Sequence, residues 1–146
     1  MFKQLLVPID GSELTKKALK KVAALAKADG SQVVLAYVSD PTPPMVYGDS
    51  TLGYGFTQKE HKKACDSYAK ALFKKAAPLL GMGLKVSTLH LYHPNLAEGI
   101  LEAAKKSKAD VIVMASHKRS GIKGMLLGSE AQEVIVHATL PVLVLG

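Results

Sequence analysis

Val111-Ile-Val-Met-Ala-Ser-His-Lys-Arg-Ser-Gly-Ile-Lys-Gly-Met-Leu-Leu-Gly-Ser129 decides the fold. Val111 to Ala115 are apolar without alternation, the pattern of a parallel strand covered on both faces, because a strand with one wet face alternates. A basic, glycine-containing loop follows. Gly128-Ser129 then opens a helix in which Ser129 and Gln132 have the S-x-x-Q spacing of a capping box. A buried strand that feeds a helix in this way sets free N–H groups and partial positive charge at the strand's C-terminal end, a seat for an anion and usually for phosphate. His117, Lys118, Arg119 and Lys123 add donors around that seat.

The same alternation extends outward in both directions. Leu5 to Ile9 reads as a buried strand, and Gly11-Ser12 leads into a helix that Ser12 can cap and Gly30 can end. Gln32 to Val38 is a second strand, β-branched and apolar. Ser39 to Thr57 is rich in Pro and Gly, with Tyr47, Tyr54 and Phe56, and loops this long in compact domains are lids, binding loops or disordered. Ala64, Tyr68, Leu72, Ala76 and Leu79 recur at helical spacing, so Lys59 to Leu80 is predicted as a long helix. Leu84 to Leu91 alternates and is more polar, as an edge strand should be. Asn95-Leu-Ala-Glu98 resembles a capping box for a helix through about Ser107. Helix Ser129 to His137 and strand Val142 to Leu145 complete the chain. Strand and helix alternating throughout predict an α/β, Rossmann-like sandwich, a five-stranded parallel sheet with right-handed crossovers and helices on both faces, in one domain of residues 1–146. In such sheets ligands sit beyond the strand C-termini where the winding reverses. With strand one central and strand four beside it, Asp10 and Ala115-Ser116 face each other across that crevice.

Composition bounds the function. A chain of 146 residues, 48% apolar, has material for one proper core. An acidic residue at position 10 comes early for a secretory signal, and no apolar run approaches spanning length, so the expectation is a cytoplasmic protein without a membrane. The single cysteine, Cys65, has no disulfide partner and no metal-ligand spacing around it. His90 and His93 show neither a carboxylate nor a third ligand at metal spacing, so no metal site is expected. A formal charge of +7 raises nucleic acid as a partner. Lys16, Lys17, Lys20 and Lys21 alternate with the apolar stripe Leu14, Ala18, Val22 and Leu25, however, and read as a solvated helix face, which leaves a nucleic-acid binder as a third reading resting on charge alone. There is no G-x-S-x-G elbow, P-loop or Cys-His pattern.

Four pieces in register, Leu6-Val-Pro-Ile-Asp-Gly-Ser12, Asp110-Val-Ile-Val-Met-Ala-Ser-His117, Leu127-Gly-Ser129 and His137-Ala-Thr-Leu-Pro-Val-Leu-Val144, resemble the universal stress protein family across essentially the whole chain. The resemblance implies sheet order 3-2-1-4-5 and homodimers that pair the last strands, here 141–145. It also implies an adenine-nucleotide site in one branch of the family and its absence in another. The positions that match that site are Pro8, Asp10, Val38, Ala115, Ser116, His117, Lys118, Arg119, Gly128 and Ser129. ATP is the nucleotide implied, with Mg²⁺ alongside it. Asp10 would hold a ribose hydroxyl or the phosphate-bound Mg²⁺, although Asp-Gly-Ser is also turn chemistry that starts a helix. Val38 matches where relatives touch adenine through the backbone, and core packing alone also explains a valine there.

The family's nucleotide-binding branch carries a loop G-x2-G-x9-G-[S/T], and this chain departs from it. Aligned on Gly128-Ser129, the second glycine is Lys118 and the first is Ala115. A lysine forced into a left-handed conformation costs about 1–2 kcal/mol. A lysine aimed at the phosphates supplies a charge in return. Two readings therefore stay open: a regulatory module responsive to an adenine nucleotide, or an interaction protein whose crevice Lys118 fills. Glu130 suits the helix dipole but repels phosphate. His117 and Asp10 could assist slow ATP hydrolysis, yet no dedicated general base is evident, so turnover is expected to be weak and incidental.

Overall fold

The computed structural model describes residues 1–10, 13–43, 57–115 and 128–146. The chain alternates β1 (Gln4–Pro8), α1 (Glu13–Asp29), β2 (Gln32–Ser39), α2 (Gln58–Ala76), β3 (Val86–Tyr92), α3 (Leu96–Ser107), β4 (Val111–Ala115), α4 (Ser129–His137) and β5 (Val142–Leu145). All five strands are parallel, in the order β3-β2-β1-β4-β5. The expected α/β sheet order is thus the observed one, and β3, the most polar strand, lies at an edge.

Side chains alternate across the sheet and build two cores. Leu5, Val7, Val33, Leu35, Val111 and Val113 point to the layer of α1 and α2, where Leu19, Val22, Ala26 and Ala76 meet them. Leu6, Val34, Ala36, Ile112 and Met114 point to the layer of α3 and α4, against Ile100, Ala103, Ala131 and Val134. The division follows from handedness. The crossovers from β1 to β2 and from β2 to β3 move toward one edge, whereas those from β3 to β4 and β4 to β5 move toward the other, so right-handed connections put the helix pairs on opposite faces. The reversal falls between β1 and β4.

Helix ends show where local chemistry governs. Gly30 takes φ +68° after α1, the left-handed C-terminal stop expected of it. Thr57 and Glu60 form a full capping box for α2: the Thr57 hydroxyl accepts from the Glu60 N–H at 3.1 Å, and the Glu60 carboxylate accepts from the Thr57 N–H at 3.2 Å. The long helix predicted to Leu80 stops being α-helical at Ala76 and tightens into a 3₁₀ turn, Ala77–Leu80, because Pro78 has no N–H to continue the ladder. Of the predicted stripe, Ala76 is buried and Leu72 and Leu79 pack against the core, whereas Ala64 and Tyr68 face solvent and Ala69 is buried in their place. In α1 the predicted Val22 is buried and Leu25 packs against the core, with Leu19, Ala23 and Ala26 buried beside them. At α3 half of the predicted capping box forms. The Asn95 side chain accepts from the Glu98 N–H at 2.9 Å, but the Asn95 N–H donates to His93 Nδ1 at 3.0 Å, which leaves the Glu98 carboxylate to stand 3.6 Å from His93 Nε2.

Candidate functional site: the crevice between strands one and four

β1 stays registered with β2 through Pro8, opposite Ala36, but its registered pairs with β4 are Leu5 with Val111 and Leu6 with Ile112. Beyond them the two C-terminal ends part. A small apolar niche opens beside them on the α1 side of the sheet, lined by Pro8, Ala18, Leu19, Val22, Val113 and Ala115. This is the winding reversal, the place where an open parallel sheet offers a crevice.

The alternation that builds the two cores sorts the predicted residues. Pro8 continues the side of Leu6, and Val38 packs with the core beneath α3 and α4. α4 lies on that same layer, so its first residues, Gly128 and Ser129, share a face with Pro8 and Val38. Ala115 continues the side of Val111 and Val113 and turns its methyl group the other way. Asp10 follows β1 and is exposed at its C-terminal rim. Its charge is felt by the Tyr37 phenol, which burial above all, then Tyr68, Cys65 and Asp10, pushes above its ordinary pKa against a lowering hydrogen bond with Ser39. Ser116, His117, Lys118 and Arg119 lie outside the described residues, as do Lys123 and the greater part of the segment 39–57.

The helix start differs from expectation in a way that matters chemically. The N-cap of α4 is Gly128, with φ −62° and ψ 159° and no side chain to cap with, and Ser129 is the first helical residue. Ser129 therefore does not close the helix end. The Gln132 N–H reaches the Gly128 carbonyl at 3.1 Å, so the Ser129, Glu130 and Ala131 N–H groups precede the first intrahelical bond. Those donors and the dipole behind them suit an anion. Glu130 sits in this first turn and offsets part of the attraction.

A second polar cluster, which sequence spacing does not reveal, joins the ends of β2 and β3 to α2. Ser39 Oγ lies 2.7 Å from His90 Nε2, and His90 Nδ1 stands 3.4 Å from an Asp66 carboxylate oxygen. The Tyr92 hydroxyl donates to Asp66 at 2.5 Å and lies 2.9 Å from the Lys62 carbonyl. Tyr37 and Tyr92 flank the His90 ring at centroid distances of 5.7 and 4.7 Å. Both His90 and His93 thus do have a carboxylate at hand, contrary to the reading from spacing, because Asp66 arrives from a distant helix and Glu98 turns back from α3. Burial lowers the His90 pKa, with Asp66 opposing it, and burial followed by the Asp66 contact pushes Tyr92 well above its ordinary value. Ser39 is buried, and 3.4 Å is too long for a working bond from imidazole to carboxylate. The cluster ties α2 to the sheet edge rather than exposing a nucleophile. Among the described residues no group of three or more His, Cys, Asp or Glu side chains is placed to hold a metal. No helix of the described residues is long and apolar enough to cross a membrane.

Comparison with known proteins places this geometry. The family model described as the universal stress protein family matches residues 1–146. A Thermus aquaticus protein called "Universal stress protein in QAH/OAS sulfhydrylase 3'region" is 32% identical over 143 residues, covering 98% of each chain. Universal stress protein MJ0577 of Methanocaldococcus jannaschii, a solved structure, is 30% identical with TM-score 0.69, covering 99% of this chain and 96% of that one. A universal stress protein solved in complex with cAMP aligns at TM-score 0.69 and 19% identity, over 99% of this chain and 96% of that one. The Archaeoglobus fulgidus universal stress protein solved with dAMP aligns at TM-score 0.57 and 20% identity, over 99% and 98%.

Proposed function

The chain belongs to the universal stress protein family, and from that premise we propose that it is a regulatory module that binds an adenine nucleotide, ATP with Mg²⁺, in the crevice between β1 and β4. One observation carries the reading: α4 begins at a glycine N-cap, without a side-chain cap, on the same layer as Pro8 and Val38 at the winding reversal. The donor set fits a phosphate chain, since consecutive helix N–H groups satisfy its oxygens without any residue having to change charge. Ser129 and Gly128 hold the phosphates, with Lys118, Arg119, His117 and Ser116 of the basic loop around them. Asp10 takes a ribose hydroxyl or the Mg²⁺, which spreads the phosphate charge, and Val38 offers its backbone to adenine. Solved family members in complex with cAMP and dAMP support an adenine ligand.

Calorimetric titration of Mg²⁺-ATP into the purified protein tests the proposal, together with Lys118→Gly. Micromolar binding that falls about tenfold or more in the variant, at roughly 1.4 kcal/mol per decade, supports a lysine that contacts phosphate. Absence of heat from the native chain, with binding created by Lys118→Gly, overturns it in favour of a crevice filled by lysine. Turnover stays incidental in this reading, and phosphate release at ordinary metabolic rates would contradict that.

The working unit is a homodimer joined along β5. That strand lies at the sheet edge, and Val142, Leu143, Val144 and Leu145 are all half-exposed, an apolar edge that association covers. Sedimentation equilibrium at micromolar concentration should give the dimer mass, and a monomer there refutes it.

A further inference from the structure

We propose that the outer surface of the α1 and α2 layer docks the sugar-phosphate backbone of double-stranded nucleic acid, without reading its sequence. In the linear sequence the lysines look like the ordinary wet faces of separate helices. Topology gathers them. α1 and α2 share one face of the sheet, with Leu72, Phe73 and Ala76 of α2 on the same core as α1, and together they carry eleven lysines against four acidic residues, a surplus of seven positive charges. The opposite layer, α3 and α4, carries two lysines against four glutamates. The formal charge of +7 for the whole chain is therefore equal to the surplus on one side of the molecule.

The spacing on that side suits a phosphate track. Away from the buried lines of the two helices stand Lys17 and Lys20 on α1 and Lys63, Lys70 and Lys74 on α2, all exposed, while Lys21 beside them donates to the Gly146 carbonyl. At 1.5 Å per residue the helices of 17 and 19 residues run about 25 and 28 Å. Duplex DNA presents one charge per roughly 1.7 Å of axis, so about 16 phosphates lie along that length. Neither helix carries an arginine, so the bidentate guanine contact that specifies sequence is absent and the lysines act as point charges. A membrane surface fits less well, because interfacial binding needs an apolar face to insert, and among the described residues of these helices Tyr68 alone exposes a large apolar side chain. An acidic protein fits less well too, since lysine is depleted from the desolvated centres of protein interfaces.

The test is fluorescence anisotropy with a labelled 20-bp DNA duplex of arbitrary sequence. If three lysines neutralise phosphates, affinity follows salt with a log–log slope near −2.7, about a fortyfold loss between 50 and 200 mM KCl. K63E/K70E on α2 should weaken binding at least tenfold at 50 mM. K105E/K106E on α3 changes net charge by the same amount from the opposite layer and should weaken it less than threefold. K17E/K20E serves as a second reversal should the first not fold. Equal losses from the two layers, which would mean net charge alone, overturn the proposal. So does a native chain that leaves the duplex unbound at 50 mM KCl while it sediments with phosphatidylglycerol vesicles, or one that binds neither.

Discussion

Gly99→Ala should destabilise the protein, although glycine inside an exposed helix ordinarily gains about 1 kcal/mol from this change. Gly99 is buried in α3, where the helix crosses the end of β2. A Cβ built on it would lie 2.6 Å from Val38 Cγ1, 3.2 Å from Val38 Cγ2 and 3.1 Å from His93 Cβ. Valine cannot swing both methyls aside, because branching at Cβ leaves few acceptable rotamers, so helix and strand must separate. Overpacking of this kind costs about 1–3 kcal/mol. Subtracting the propensity gain leaves a net loss of about 1 kcal/mol, a fall in Tm of roughly 2–4 °C for a chain near this length. Val38→Ala removes both methyls that obstruct the new Cβ. In that background Gly99→Ala should become neutral or stabilising by about 0.5 kcal/mol, a coupling of roughly 1.5 kcal/mol. Urea denaturation of the four proteins, read at unchanged m-value, measures the cycle. Native-background Gly99→Ala at or above wild-type stability, or the same effect in both backgrounds, would refute the close approach of α3 to β2. Because Val38 is the proposed adenine contact, the clash should also weaken the nucleotide affinity.

Three further outcomes follow from local geometry. Lys108 holds φ 55° as the C-terminal cap of α3, a left-handed conformation that costs a side chain about 1 kcal/mol, so Lys108→Gly should raise the urea midpoint. Asn95→Ala should cost about 1 kcal/mol in the same assay, whereas Asn95→Asp keeps the acceptor for the Glu98 N–H and should cost little. The third concerns His90, which faces Ser39, Tyr37, Tyr92 and Asp66. Burial, only partly opposed by Asp66, depresses its folded pKa below the ordinary value near 6.5. The unfolded chain then binds the proton first, so its share of stability is full above about pH 6.5 and is lost as pH falls through the lower folded pKa. His90→Gln should flatten the stability profile across that window, and an unchanged profile from chemical denaturation would contradict the assignment.

The alternation of strands and helices was legible because it rests on periodicity, which a chain of this length expresses many times over, whereas the strand order came from the family resemblance, and the layer of each helix follows only once that order is combined with right-handed crossovers. Single faces were less legible. Ala64 and Tyr68 fit a helical stripe as well as Ala69 does, and only the neighbouring strands decide which of them is covered. Asp66, Ser39 and His90 meet across 51 residues of sequence, a contact that no spacing encodes. The one available hint was two-residue alternation: Tyr37 and Ser39 oppose His90 and Tyr92 in register, and put polar and aromatic groups on one face. The Thr57 capping box is local T-x-x-E chemistry, which a helix start placed at Lys59 passes over.

The crevice was legible in place but not in chemistry, and the reason is specific. S-x-x-Q at Ser129 matches a capping box as well as any pattern can, yet Gly128 takes the cap position and leaves Ser129 inside the helix. A one-residue shift changes the character of the site, because a serine that caps the helix consumes a donor that phosphate would use, whereas a glycine cap leaves it. The change also reorders the effect of the loop's departures from the family pattern. In the proposed site the helix end supplies backbone N–H groups, so the glycine replaced by Lys118 would not be the sole source of donors, and a lysine aimed at the phosphates would add charge to them. Glu130 then becomes the opposing term, at about 0.3–1 kcal/mol of favourable dipole interaction that a bound phosphate would have to oppose at close range. Glu130→Gln should therefore tighten Mg²⁺-ATP severalfold in the calorimetric titration while costing a few tenths of a kcal/mol in stability. An unchanged affinity would mean that the phosphates, if bound, do not sit at the start of α4.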